Sequence, residues 1–86
     1  MNKTILIVED DPELQELYSV MLESEDYRIL QVADGKEALE KLKAVRPDLI
    51  LLDVILDEMM GDEFFVKLKQ DARTAATPVV LVTVLP

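Results

Sequence analysis

Three uninterrupted apolar runs constrain the chain most: Ile5-Leu6-Ile7-Val8, Leu49-Ile50-Leu51-Leu52 and Val79-Val80-Leu81-Val82. A run that is apolar at every position suits a strand covered on both faces, not one with a wet side. Residues 27–33, with Ile29, Leu30 and Val32 in their interior, are predicted as a further strand after the first. Amphipathic stretches separate the strands. Asp11-Pro12 offers an N-cap and a proline at the first helical position. Leu14, Leu17, Tyr18, Met21 and Leu22 follow at helical spacing, so a helix is predicted to run to about Ser24. Asp34 and Glu37 stand at capping-box spacing, with Asp in the Ser/Thr place. Ala38, Leu39, Leu42 and Val45 supply the second helix's buried stripe, and Pro47 stops it. Residues 54–61 read as a loop. Phe64, Phe65 and Leu68 mark a third helix, with Asp62 and Glu63 at its start and Lys67 and Lys69 later, as the helix dipole favours. Pro78 opens the last strand. The order βαβαβαβ predicts an α/β fold: a mostly parallel sheet, helices on both faces and right-handed crossovers.

Composition narrows the functions available. With 86 residues the chain holds one domain at most, residues 1–86. Eighteen acidic side chains against nine basic ones give a net charge of -9, which disfavours binding nucleic acid through phosphates or lying on an anionic membrane. Neither cysteine nor histidine is present, so disulfides, thiolate metal sites and histidine catalysis are excluded. Glu9, Asp10 and Asp11 follow the first apolar run at once, which fits neither a signal peptide nor a membrane span. A cytoplasmic location is expected.

Ligands of open parallel sheets bind beyond the carboxyl ends of the strands, and three strands end there in polar groups. The first delivers Glu9 and Asp10, the third Asp53 and the fourth Thr83. If the first and third strands are neighbours, three carboxylates converge. Their repulsion is relieved by a hard divalent cation such as Mg²⁺, which takes one or two carboxylates, waters and an incoming phosphate. A carboxylate can serve as the nucleophile in phosphoryl transfer, forming an acyl phosphate. Thr83 offers a hydroxyl to phosphoryl oxygens. Taken singly, each residue has a plainer reading: solvated charge at a helix start for Glu9 and Asp10, a turn or cap for Asp53, a good strand former for Thr83. Asp11 reads as a cap. The convergence is more specific than its parts.

Four stretches together resemble the receiver domain of bacterial response regulators: residues 5–12 (ILIVEDDP), 33–39 (ADGKEAL), 47–53 (PDLILLD) and 78–83 (PVVLVT). The resemblance runs the length of the chain. It implies a flavodoxin-like sheet of strand order 2-1-3-4. It implies also that Asp53 accepts a phosphoryl group from a histidine kinase or phosphotransfer protein, without the chain being an enzyme in its own right. Asp10 would then bind Mg²⁺ directly, Glu9 would help through water, and the Ile55 main-chain carbonyl would complete the metal site with Asp53. Thr83 would be the switch hydroxyl, and Gly61 matches the family's glycine in the turn before the third helix.

Three departures from the family's pattern stand out. Asp57 replaces the usual proline four residues beyond the acceptor, and Val84 replaces the usual alanine after the switch threonine. The family's later helix, fifth strand with its lysine, and final helix have no counterpart, so the domain is expected to be incomplete at its C-terminal side. The fourth strand is then expected to be an open apolar edge that favours self-association. Two other functions compete. One is a phosphorylation-incompetent fragment that self-associates or acts as a scaffold. The other is an aspartyl-phosphate phosphatase, which wants a second aspartate where this chain has Ile55.

Overall fold

The computed structural model describes residues 3–53 and 61–82, with the side chains of residues 53, 61 and 62 outside that description. Four strands and three helices alternate: β1 (Thr4–Val8), α1 (Pro12–Glu23), β2 (Arg28–Val32), α2 (Gly35–Lys41), β3 (Leu49–Asp53), α3 (Gly61–Gln70) and β4 (Val79–Val82). All pairings are parallel and the strand order is β2-β1-β3-β4, the order that the resemblance implies. Alternate side chains of each strand face opposite sides of the sheet. Leu6, Val8, Val32, Ile50 and Leu52 face one side and pack with Ala38 and Leu42 of α2 and Phe64 and Leu68 of α3. Ile5, Leu49 and Leu51 face the other, where Tyr18, Met21 and Leu22 of α1 complete an apolar hollow of about 190 Å³. Helices therefore cover both faces.

The caps are built largely as the sequence predicts. The Asp11 carboxylate accepts the Glu13 N–H at 2.9 Å, with Pro12 in the first turn. Asp34 accepts the Glu37 N–H at 2.8 Å. The returning arm of Glu37 reaches one residue further out than a capping box requires, to the Ala33 N–H at 3.2 Å. Two helices depart from their predicted extents. Helix α2 ends at Lys41, and the Lys43 and Ala44 N–H groups close tighter turns onto Glu40 and Lys41, which leaves Val45 beyond the helix. Helix α3 already begins at Gly61, the residue predicted for the preceding turn.

Helix α1 carries the larger surprise. Its predicted apolar stripe does not match its buried face, because Leu17 and Met21 are exposed, as is Val20. The inward positions are Leu14, Gln15, Tyr18, Ser19 and Leu22, with Ser19 the buried one. Ser19 accepts a hydrogen bond from the Gln31 side chain of β2. The face of α1 turned to the sheet thus includes the polar Gln15 and Ser19 and leaves Leu17, Val20 and Met21 outside it.

Candidate functional site

The chain leaves β1 toward β2 on one side, then crosses to the other side to form β3. The strand order therefore reverses between β1 and β3, where open α/β sheets form their ligand crevice. Val8 lies beside Leu52, so Glu9 and Asp53 each come one residue later at the same end of adjacent strands. Asp53 is in turn registered against Val82, and Thr83 follows Val82 in sequence. Neighbouring strands lie about 4.8 Å apart, so the main chain brings Glu9, Asp10 and Asp53 to one short stretch of sheet edge.

Glu9 is only 1% exposed, an unusual fate for an acidic residue. Its Oε1 accepts the Asp11 N–H at 3.1 Å, and its own N–H donates to the Val32 carbonyl at 3.1 Å. Asp10 is half-buried. Asp11 is committed to capping α1 and stays exposed, as the sequence indicates. Among the described residues no three acidic side chains gather to hold a metal ion; the expected trio needs the side chain of Asp53, which lies outside them. Ile55, Asp57, Thr83 and Val84 also lie outside the described residues. The donor chemistry fits a hard cation, because a buried carboxylate and a half-buried one leave the same strand tip and both offer oxygen alone.

The sequence reading missed one residue of this region. Gln15, in the second turn of α1, donates from its side-chain amide to the Glu9 carbonyl at 2.8 Å and to the Val32 carbonyl at 2.9 Å. The available signal was a polar side chain one position from Leu14, on the helix face that turns inward.

The response regulator receiver domain model matches residues 5–85. The chain belongs to that family. A histidine kinase of Formosa agariphila is 45% identical over 80 residues, which cover 93% of this chain and 6% of the kinase. The N-terminal domain of a response regulator receiver protein from Methanoculleus marisnigri superposes with a TM-score of 0.91 at 40% identity, covering 96% of this chain and 68% of that one. The receiver domain of a sensor histidine kinase from Pseudomonas aeruginosa, solved with a magnesium ion coordinated in its active-site cleft, gives a TM-score of 0.89 at 31% identity. It covers 94% of this chain and 66% of that one. Receiver domains of this family are phosphoacceptors in two-component signalling, and this chain is homologous to those of response regulators and of histidine kinases alike. Among the described residues no helix is long and apolar enough to cross a membrane.

Proposed function

We propose that residues 1–86 act as a single phosphoacceptor domain of a cytoplasmic two-component phosphorelay, with Asp53 as the acceptor. The observation that carries the reading is the β1–β3 register, which sets Glu9 and Asp10 beside Asp53 at the switch point. A carboxylate oxygen of Asp53 attacks the phosphorus of a phosphohistidine on a kinase or phosphotransfer protein. The new O–P bond gives an acyl phosphate as the P–N bond breaks and its electron pair returns to the imidazole nitrogen. Asp10, Asp53 and the Ile55 carbonyl would hold Mg²⁺, with Glu9 helping through water, and the ion when bound would supply charge neutralisation to the phosphoryl oxygens. Thr83 donates its hydroxyl to the phosphoryl group. These same groups assist both the gain and the loss of the phosphoryl group.

Incubation with acetyl phosphate and Mg²⁺, read by intact-mass spectrometry, tests this reading. One added phosphoryl group is expected on the wild-type chain and none on Asp53→Asn. Modification that persists in Asp53→Asn, or that never occurs, overturns it.

A second reading has its own observation. Among the described residues β4 pairs only with β3, and its Val80 and Leu81, on opposite faces, are 46% and 55% exposed. An apolar sheet edge of this kind suits strand-to-strand pairing with another copy. A phosphorylation-incompetent, self-associating scaffold would use it. Sedimentation velocity across a concentration series separates the two readings when paired with the mass measurement.

A further inference from the structure

The β1–β2 ladder ends at Val8 and Val32, followed by one more bond from the Glu9 N–H to the Val32 carbonyl. There β2 stops. The Ala33 N–H is taken by Glu37, and Asp34 turns to cap α2. The Glu9 carbonyl takes its hydrogen bond from α1 instead, where the Gln15 Nε2 spans it at 2.8 Å and the Val32 carbonyl at 2.9 Å. A primary amide has two N–H donors, and here both are directed at main-chain acceptors. Since both partners are acceptors, only one orientation of the amide satisfies them.

We propose that Gln15 is a positioning residue for the cation site. The Glu9 carbonyl belongs to the planar peptide unit joining Glu9 to Asp10. Holding that carbonyl restrains the plane on one side of each Cα; with the Glu9 N–H held by the Val32 carbonyl and the Asp11 N–H by the Glu9 side chain, it limits the directions in which the Glu9 and Asp10 side chains leave the main chain. Gln15 touches neither carboxylate in this role; it orients the backbone that bears them. The inference rests on the reading of Glu9 and Asp10 as Mg²⁺ ligands.

The structure supplies an internal control. Gln31 ties α1 to β2 through Ser19 and, at 3.4 Å, through the Gln15 main-chain carbonyl, without touching Glu9 or Asp10. Both glutamines therefore anchor the same helix to the same strand, and only one of them holds the acidic tip.

Isothermal titration of Mg²⁺ into the unphosphorylated chain, alongside urea denaturation of each variant, tests the proposal. Gln15→Met keeps the side chain's length and removes both donors; Gln15→Ala removes them with a good helix former, should the methionine variant not fold. Both are expected to bind Mg²⁺ about tenfold more weakly, the scale on which supporting groups tune metal sites. Gln31→Met is expected to lose stability while keeping wild-type affinity. Wild-type affinity in a folded Gln15 variant overturns the positioning role alone, and so does an equal loss of affinity in Gln31→Met. A wild-type chain that binds no Mg²⁺ overturns the metal-site reading itself.

Discussion

Asp71 shows what one residue does in the connection between α3 and β4. Its carboxylate accepts the Arg73 guanidinium at 2.9 and 3.2 Å and the Arg73 main-chain N–H at 2.8 Å. Those hydrogen bonds, the side-chain ones foremost, hold its carboxyl down at about 2. A carboxyl depressed in the folded state lends stability that is present above its unfolded pKa and is lost as pH falls toward the folded one. For Asp71 that window runs from about pH 4 down to about 2. The pair is solvent-exposed, so its contribution is small. Arg73→Ala is expected to return Asp71 toward the ordinary carboxylate range, as carboxyl-detected NMR titration would show. Nearby, the buried Thr74 hydroxyl donates to the Leu68 carbonyl at 2.7 Å, and Lys69 reaches the Ala75 and Thr77 carbonyls. Together they satisfy main-chain acceptors in and beyond the last turn of α3.

At the scale of elements, α2 is the weakest by its own length. Seven residues are too few for a helix to persist in isolation. It depends on Asp34 at its start and on Ala38 and Leu42 packed against the sheet. Asp34→Ala is therefore expected to cost about 1 kcal/mol, measured as a lower urea midpoint with an unchanged slope. At the strand starts, β1 and β3 are clamped by a reciprocal pair: Asp48 donates its N–H to the Thr4 carbonyl and accepts the Thr4 N–H on Oδ2, each at 2.8 Å. This clamp sits at the opposite end of the two strands from the acidic tips, so it helps hold the register that aligns Glu9 with Asp53.

For the whole molecule, charge and apolar surface act in opposite directions. A net charge of -9 keeps copies apart at low ionic strength, while the exposed Val80 and Leu81 of β4 favour contact. Salt screens the first and not the second. Under the self-associating reading, association is therefore expected to strengthen as salt is raised and to weaken in Leu81→Lys, which places a charge on β4. A sedimentation coefficient that ignores protein concentration, salt and this substitution would count against edge pairing.

The apolar runs at residues 5–8 and 49–52 were enough to indicate parallel strands, because buried strands tolerate no polar position on either face; the run at 79–82 also forms a parallel strand, but Val80 and Leu81 are exposed there, so its covering was not legible from the pattern. The caps at Asp11 and Asp34 were legible for a similarly local reason: each bonds an N–H two or three residues away. The acidic site was legible as a set of strand-end residues, with the strand order taken from family likeness. The β1–β3 register that aligns Glu9 with Asp53 could come only from the folded sheet, since nothing local in either strand specifies the other as its neighbour. The rotation of α1 was likewise hidden. Its sequence offers more apolar positions than one face can bury, and the face that turns inward carries Ser19 and Gln15, whose partners lie on β2 and at Glu9, just past the end of β1. Patterns within a segment report which surfaces are apolar, whereas contacts between distant segments decide which of those surfaces meet.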